Sequence, residues 1–243
     1  MIENKVTHKW ESKYWHPAVT VDAAVFGFDG EQLNLLLIER GGEPFKGAWA
    51  LPGGFIDKDD PSAEAAAYRE LYEETGIKDI YLEELKTFSD IGRDPRERVI
   101  TIAFIALVAK NKYRIKGGDD AKEAKWFPVD NLPRLAFDHG RIIKTALNKL
   151  RQKAHNEPIG IYLLNKEFTL SQLQSIYSAI LTPSADNNKI LNKRNFANKI
   201  LKSGYIIDTG KRLTGHPHNA AKLYSFDEEK YNNAKTTGMQ LIL

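Results

Sequence analysis

The segment at residues 53–77 constrains the fold and the chemistry of this chain more than any other, and it reads GGFIDKDDPSAEAAAYRELYEETGI. After a Gly-Gly loop, Asp60 is placed to cap a helix whose first position is Pro61. The alanine-rich run that follows favours helix, and Gly76 stands where a left-handed residue would end it. The segment therefore predicts a glycine loop followed by one helix that begins at Pro61.

The last turn of this predicted helix carries Glu70, Glu73 and Glu74 on one face, at i, i+3 and i+4 spacing. Like charges at this spacing repel, and carboxylates near a helix C-terminus oppose the helix dipole, each costing roughly a few tenths of a kcal/mol. Three converging carboxylates suit a hard cation such as Mg²⁺ or Mn²⁺, and Arg69 is placed to pair with Glu73. A solvated acidic face is the alternative, but it does not account for the glycines and the arginine around the cluster.

This segment resembles the Nudix box, G-x5-E-x7-R-E-U-x-E-E-x-G-U, in which U is aliphatic. Residues 69–77 match its second half in full, and Gly54 matches its opening glycine. The chain departs from the pattern at Asp60, where the family has Glu, and in the eight residues rather than seven that precede Arg69. The resemblance implies a metal-dependent Nudix site whose metal ligands and catalytic residues map to Arg69, Glu70, Glu73 and Glu74.

The composition is that of an ordinary globular protein, with 243 residues, 42% hydrophobic and 28% charged. The absence of cysteine excludes a disulfide framework and a thiolate zinc site. The longest apolar run, residues 99–109, is too short to span a bilayer, and no apolar N-terminal segment follows a basic stretch. We therefore expect a cytoplasmic protein.

The charge is distributed unevenly along the chain. Residues 156–243 contain 11 Lys and Arg against 7 Asp and Glu, whereas residues 1–155 contain 24 against 25. This asymmetry predicts two domains, the second a candidate for binding a polyanion. We expect an N-terminal arm at residues 1–14, a first domain at 15–155 and a second at 156–243.

The first domain alternates strand and helix patterns around the box. The predicted strands are residues 18–28, 33–38, 80–88, 99–108 and a segment of 119–129 around Trp126. A second helix is predicted at residues 139–153, with its apolar residues on one face. Strands interleaved with two helices fit an α/β class fold, an α/β/α sandwich, and the resemblance to the Nudix box implies the Nudix form of that sandwich.

The loop at residues 92–98 carries three arginines, Arg93, Arg96 and Arg98. A solvated turn is the simpler interpretation of such a loop. Near a metal site, however, arginine supplies a planar fork for phosphate or carboxylate. Similar loops occur in Nudix proteins that bind ADP-ribose, and the predicted ligand-binding residues are therefore Gly54, Arg93, Arg96 and Arg98.

The C-terminal region predicts a helix-turn-helix followed by a wing. Thr169 and Gln172 form a capping box at the start of one helix, and Asn192 is placed to cap a second helix over 193–202. Inward-facing positions of that second helix are predicted to be Phe196, Ala197, Ile200 and Leu201. The gap at 182–191 is too long for a tight turn, which predicts a short middle helix or an insertion.

A short hairpin, residues 205–208 and 221–226, is predicted to follow, with Lys211, Arg212, His216 and His218 at its tip. Any one basic helix is more often a solvated face, but a capped helix, a basic helix and a basic hairpin in succession favour DNA binding. The predicted DNA-binding residues are Lys193, Arg194, Asn195, Asn198, Lys199, Lys202, Lys211 and Arg212.

The whole chain, from residue 16 to about 226, resembles the Nudix-related transcription regulators of NAD metabolism and sugar utilisation. The resemblance is carried by the box and by the runs LAFDH at 135–139, KRNF at 193–196 and AKLY at 221–224. It implies a winged helix-turn-helix regulator, a homodimer, that binds a double-stranded DNA operator and senses ADP-ribose or a related sugar compound.

The alternative is a Mg²⁺-dependent ADP-ribose pyrophosphohydrolase with an accessory C-terminal domain. Many such regulators have lost acidic residues of the box, whereas this chain keeps them, so hydrolysis and regulation are compatible. The general base would then be Glu70, Glu97 or Glu123.

Overall fold

The structure is a computed structural model that describes residues 2–4, 9–113, 115, 121–181, 192–213 and 220–236. The strands are β1 (Ile2–Asn4), β2 (Lys9–Glu11), β3 (Ala18–Phe28), β4 (Leu33–Arg40), β5 (Trp49–Ala50), β6 (Gly53–Phe55), β7 (Tyr81–Phe88), β8 (Val99–Val108), β9 (Ala121–Pro128), β10 (Glu167–Phe168), β11 (Ile206–Arg212) and β12 (Lys222–Phe226). The α-helices are α1 (Ala63–Thr75), α2 (His139–Asn156), α3 (Leu170–Leu181), α4 (Lys193–Lys202) and α5 (Glu228–Thr236), with 3₁₀ turns at Lys110–Lys112 and Ile159–Leu163.

A seven-stranded mixed sheet forms the centre of the N-terminal part. Its main path runs β5-β4-β3-β8-β7, while β6 pairs with β3 and β9 pairs with β4. Strands β3 and β8 are parallel, in register from Ala18 opposite Val99 to Gly27 opposite Val108. Both are almost continuously apolar, as central strands covered on two faces must be.

Alternate residues of β3 contact different helices, which shows that the sheet lies between two layers. Val21 packs with Ala66 and Ala67 of α1, whereas Phe26 shares a core with Ile142 of α2. Because successive side chains of a strand point to opposite faces, α1 and α2 cover opposite sides of the sheet. Each large apolar side chain buried there stabilises the fold by about 1.5–3 kcal/mol. The predicted α/β/α sandwich is confirmed.

The start of α1 differs from the prediction. Its N-cap is Ser62, whose hydroxyl accepts from the Ala65 amide at 3.1 Å, and not Asp60. The Asp60 carboxylate is instead engaged by Arg69, so the next small polar residue takes over the cap. Gly76 ends the helix in the left-handed region, with φ of 74°, as predicted.

Most strands and the second helix were predicted within a few residues. Strand β4 continues two residues beyond the predicted end, and α2 extends to Asn156 rather than 153. The short strands β5 and β6 were not predicted. The arm, which has no clear period in sequence, contains the antiparallel pair β1 and β2.

The C-terminal part combines a three-stranded sheet, ordered β10-β12-β11, with α3, α4 and α5. The capping box is present, with the Thr169 amide 2.8 Å from Gln172 Oε1 and the Gln172 amide 3.1 Å from Thr169 Oγ1. Asn192 caps α4 by accepting from the amides of Arg194 and Asn195. These elements confirm the winged helix-turn-helix, and α5 is an addition that was not predicted.

One detail of this part differs from the prediction, and two other predictions concern residues that the structure does not describe. Leu201 was predicted to face inward, but it is 39% exposed, because Phe196 and Ile200 already fill the inner face of α4. The predicted middle helix at 182–191 and the histidines at 216 and 218 lie outside the described residues.

One apolar cluster continues from the sheet into the C-terminal part. It includes Phe26 of β3, Leu150 of α2, Tyr177 of α3 and Tyr224 of β12. Lys153 of α2 reinforces the junction by donating to the carboxylates of nearby glutamates in β7 and after α2. Across the described segments, no helix has the length and apolar character needed to cross a bilayer.

Candidate ligand and metal site

A cavity of about 810 Å³ opens beside the glycine loop of the box. Its walls come from β3, β4, β6, α1, the loop between β7 and β8, and the start of α2. This volume is in the range of small-molecule sites, and the lining mixes carboxylates, guanidinium groups and aromatic rings.

Arg69 donates hydrogen bonds to several groups of the box. Its Nε and Nη2 donate to the two oxygens of Asp60 at 3.0 and 2.7 Å, and Nη1 donates to Glu70 at 2.8 Å and Glu73 at 3.1 Å. Nη2 also donates to the Phe55 carbonyl, which ties the helix to the glycine loop. The hydrogen bonds from Arg69 lower the pKa of Asp60, and those to Asp60 raise the pKa of Arg69. Asp60 thus fixes Arg69, despite the extra residue between them.

The three glutamates do not all face the cavity. Glu70 and Glu74 line it, whereas the Glu73 side chain is 55% exposed and is held to Arg69 outside the lining. On a helix of 100° per residue, Glu74 lies about 40° from Glu70 and Glu73 about 60° away on the other side. The structure therefore brings Glu70 and Glu74 to the cavity but not Glu73, and the assignment of all three as metal ligands stays a prediction.

The carboxylates that do face the cavity are held in different ways. Glu74 is buried and accepts a 2.8 Å hydrogen bond from the Gly53 amide. Burial raises the pKa of Glu70, although Arg69 opposes this. The absence of a Cβ at Gly54 makes room for the Glu70 carboxylate, because any side chain there would overlap it.

The donor chemistry of this site fits a hard divalent cation, since Glu70 and Glu74 offer carboxylate oxygens to one cavity. The described residues nevertheless contain no group of three Asp, Glu, His or Cys side chains already arranged to hold a metal ion. The guanidinium of Arg69 lies between Glu70 and Glu73, where it neutralises both. A third glutamate ligand would require Glu73 to leave Arg69.

The three arginines of the β7–β8 loop have separate environments. Arg93 is buried and donates to Asp138 at 2.8 Å through Nη2, with Asp22 at 3.6 Å from the same atom. Arg96 lines the cavity and pairs with Asp94, and the Arg98 side chain is not part of the lining. Only Arg96 therefore combines a cavity position with substantial exposure.

A cluster of buried polar side chains in the cavity wall was not predicted from the sequence, and it includes Asp22, Arg93 and His139. The Leu51 amide donates to His139 Nδ1 at 2.9 Å, so the imidazole proton resides on Nε2, which lies 3.5 Å from Asp22. Thr101 donates to the same carboxylate at 2.7 Å. Burial lowers the pKa of His139, and this outweighs the opposing effect of Asp22 at that long separation, leaving a neutral ring. The sequence feature that could have indicated this cluster is Asp22, a single aspartate within the largely apolar strand β3.

Of the three candidate general bases, Glu70 alone belongs to the cavity lining. Glu97 and Glu123 are exposed and lie outside it. The rim also contains aromatic side chains that were not predicted, Phe55 and Phe137, and a further arginine, Arg40.

The basic face of the C-terminal part lies on α4. Its predicted DNA-binding residues are all exposed, namely Lys193, Arg194, Asn195, Asn198, Lys199 and Lys202. The wing differs from the prediction, because Lys211 and Arg212 belong to strand β11 rather than to the tip. Lys211 pairs with Glu167 at 2.7 Å, and Arg212 donates to the Ala220 carbonyl.

Two family models match the chain. The NUDIX domain model matches residues 16–146, and the NrtR DNA-binding winged helix domain model matches residues 160–226.

Three relatives resemble this chain over long stretches. The ADPR responsive transcriptional repressor NtrR of Acinetobacter baylyi is 34% identical over 226 residues, which is 91% of this chain and 87% of that protein. The ADP-ribose pyrophosphatase of Methanocaldococcus jannaschii is 47% identical over 131 residues, which is 54% of this chain and 73% of that protein.

The third relative is NrtR of Shewanella oneidensis. Its crystal structure with a 27mer DNA has a TM-score of 0.76 at 32% identity, covering 88% of this chain and 95% of that one. Its NUDIX domain complexed with ADP ribose has a TM-score of 0.55 at 34% identity, covering 62% of this chain and 99% of that one. The chain therefore belongs to the Nudix family, as a member in which an NrtR-type DNA-binding winged helix domain follows the NUDIX domain.

Proposed function

We propose that this protein is a DNA-binding transcriptional regulator whose Nudix domain senses ADP-ribose. The observation that carries the proposal is α4, a capped helix whose exposed face bears four basic residues and no acidic one. Such a face supplies Lys for phosphates and Arg and Asn for base edges. The ADPR responsive repressor of Acinetobacter and the DNA and ADP ribose complexes of Shewanella NrtR support the same assignment.

The proposal divides the chain into an arm at 1–14, a Nudix domain at 15–155 and a winged helix domain at 156–243. It assigns ligand contacts to the cavity lined by Gly54 and Arg96. In this proposal the roles of Arg93 and Arg98 differ from the prediction: Arg93 lies in the cavity lining but is paired with Asp138, and Arg98 lies outside the lining. Arg93 then acts by supporting the cavity rather than by binding phosphate.

Ligand binding and DNA binding are linked in this proposal through α2. Its first turn supplies His139 to the cavity lining, and its apolar face continues into the core around α3. A ligand that favours one position of α2 must change DNA affinity by the same free energy by which DNA changes ligand affinity. We expect the protein to be a homodimer in the cytoplasm. The operator should then consist of two half-sites related by two-fold symmetry, because paired half-sites mirror the symmetry of the dimer.

A gel-shift titration tests this function. The full chain is titrated against duplex DNA from its own promoter and against a scrambled duplex of equal length, over a salt series, with and without ADP-ribose. We expect salt-sensitive binding that prefers the promoter and an ADP-ribose effect of about 5- to 150-fold. Undetectable salt-sensitive binding to the promoter would overturn the proposal.

A second function, hydrolysis of ADP-ribose, is favoured by one specific observation. Arg69, Glu70, Glu73 and Glu74 are all retained, and the chain is 47% identical to the Methanocaldococcus ADP-ribose pyrophosphatase over 131 residues. Nudix hydrolases generally use divalent metals such as Mg²⁺. Glu70 and Glu74 would hold the metal, with Glu73 joining once it leaves Arg69, and the ion would activate water and neutralise the diphosphate.

The hydrolase assay follows AMP release from ADP-ribose, with Mg²⁺ or Mn²⁺ and with chelator. The matched variant is Glu70→Gln, which keeps the side-chain shape and removes the charge. Metal-dependent AMP release by the parent and its loss in the variant are the expected pair of results. Equal rates with and without metal would exclude this second function.

A further inference from the structure

A second cavity, of about 320 Å³, lies where the Nudix domain meets the C-terminal part, and we call it the junction cavity. It shares no lining residue with the cavity beside the glycine loop. The two lie toward opposite ends of β8, because Val99 lines the first whereas Leu107 and Val108 line the second. Strand residues rise about 3.3 Å each, which puts Leu107 about 26 Å from Val99. The junction cavity is therefore a separate site.

The junction cavity has an apolar floor and aromatic walls. Its buried lining residues come from both parts of the chain, namely Leu107, Val108, Ala109, Ile161 and Phe168. Tyr81 of β7 and Tyr162 of the second 3₁₀ turn stack across the junction, with ring centroids 4.5 Å apart and planes inclined by 28°. Tyr113 and Phe226 also line the cavity, and the Tyr113 hydroxyl donates to the Lys78 carbonyl at 2.6 Å. Such a lining suits a ligand with a flat apolar body.

The rim of the junction cavity carries two carboxylates and two ammonium groups. Asp79 and Lys112 come from the Nudix side, and Lys166 and Glu228 come from the C-terminal side. All four residues are exposed, and within the described part of the chain none of them belongs to an ion pair. The rim therefore has no net charge, but it can pair with a ligand group of either sign.

The two rim carboxylates lie close to the aromatic walls. Burial, and after it the charge of Glu228, raises the pKa of Tyr162. Burial and the charge of Asp79 raise the pKa of Tyr113 in the same way. A cation bound beside these rings would be attracted by the carboxylates and by the ring faces together. The rim thus favours a ligand whose positive group is close to its own aromatic ring.

We propose that the junction cavity binds a free aromatic α-amino acid. The ring lies among the aromatic walls, the ammonium group faces the rim carboxylates, and the carboxylate faces the rim lysines. The volume is at the low end of the range for small-molecule sites, as a ligand of this size requires. An uncharged ring would leave all the rim charges unused, and a ligand with one charge would use only half of them. This inference does not depend on the proposed ADP-ribose function.

Calorimetric titration of the full chain tests the ligand class. L-phenylalanine, L-tyrosine and L-tryptophan are compared first, and the tightest of the three is then compared with two analogues. One analogue is the amine that lacks the carboxylate, and the other is the propionate that lacks the amino group. We expect each analogue to bind about three- to fivefold more weakly than the amino acid, the size of one exposed ion pair.

Two double variants test the position of the ligand. Lys112→Met with Lys166→Met should weaken binding of the amino acid about three- to fivefold and abolish its preference over the amine. Asp79→Asn with Glu228→Gln should abolish the preference over the propionate. Asn is chosen because Asp79 has φ of 54°, a left-handed conformation that Asn adopts readily. All four substitutions change exposed side chains, so the fold should persist.

The matched control is Lys86→Met with Lys144→Met, two exposed lysines outside the lining, and it should keep both preferences. Failure of all three amino acids to bind at millimolar concentration would overturn the proposal. Equal affinity for the amino acid and both analogues, or unchanged preferences in the rim variants, would overturn it as well. Strict competition between the amino acid and ADP-ribose would place both in the first cavity and thus also exclude the junction site.

Discussion

Arg93 and Asp138 form a buried two-point ion pair, with Nη2 2.8 Å from Oδ1 and Nε 3.3 Å from Oδ2. The pair joins the loop between β7 and β8 to the residue that precedes α2. Asp22 of β3 lies 3.6 Å from the same Nη2, so the cluster also reaches the central sheet. Two walls of the cavity are therefore tied to the start of the helix that leads to the DNA-binding part.

Replacing Arg93 should be costly because it leaves the buried carboxylate of Asp22 and the largely buried carboxylate of Asp138 without their cation. We expect Arg93→Met to lower the free energy of unfolding by about 3–5 kcal/mol. The matched control is Arg141→Met, which breaks a pair with Asp90 in which both side chains are more than half exposed and should cost about 0–1 kcal/mol. Urea denaturation measures both values. Similar losses for the two variants would contradict a special role for the buried pair.

The two glycines of the box should respond differently to the same substitution. A Cβ at Gly53, where φ is 154°, would overlap the backbone carbonyl of Val21, which cannot move without disturbing β3. Gly53→Ala should therefore destabilise the fold by more than about 1 kcal/mol. A Cβ at Gly54 would meet the end of the Glu70 side chain, which can rotate away.

Gly54→Ala should accordingly remain stable but lose its response to ligand. The measurement is the rise in apparent Tm on adding Mg²⁺ with ADP-ribose, which reports binding to the native state. The parent should show the rise, and Gly54→Ala should show little of it although its own Tm is nearly unchanged. A full ligand response in Gly54→Ala would contradict the assigned position of Glu70.

Local features of the site were predictable from the sequence, and distant contacts were not. The spacing of Arg69 and Glu73 predicted their ion pair, because residues four apart on a helix are neighbours. The cluster of Asp22, Arg93 and His139 joins residues 71 and 46 positions apart in sequence, and the pairing of β3 with β8 and the packing of α2 against the sheet bring them together. Helix spacing also grouped the three glutamates, but it contains no information about which part of that face the cavity covers.

The same distinction holds for the fold. Apolar runs and capping residues gave most of the strands and the helices α1 to α4, since those signals are local. The short strands β5, of two residues, and β6, of three, have no apolar pattern of their own, and they form because the box loop runs beside β3 and β4. The cap at Ser62 instead of Asp60 likewise depends on Arg69, nine residues beyond Asp60.

His139 should make the stability of the protein depend on pH. Burial holds its pKa below the ordinary value of 6.5, so below about that pH the unfolded chain binds a proton that the folded chain does not. The free energy of unfolding should therefore fall as pH is lowered from 6.5 toward the pKa of the folded state. Urea denaturation of the parent and of His139→Gln between pH 5 and 8 isolates this contribution, and superimposable pH profiles would contradict it.

Substitutions on α4 should distinguish side chains that contact base edges, and so set sequence specificity, from side chains that contact phosphates. Arg194 is exposed in the first turn, beside the Asn192 cap, and Arg194→Ala should cost about 1–3 kcal/mol on the promoter and much less on scrambled DNA. Lys199→Ala should weaken binding to both duplexes and reduce the slope of log K against log salt by about one unit. Lys144→Ala, an exposed lysine of α2, serves as the charge control and should leave the slope unchanged. If the Lys144 and Lys199 variants reduce the slope equally, the DNA contact is not specific to α4, because net charge alone would then account for the binding.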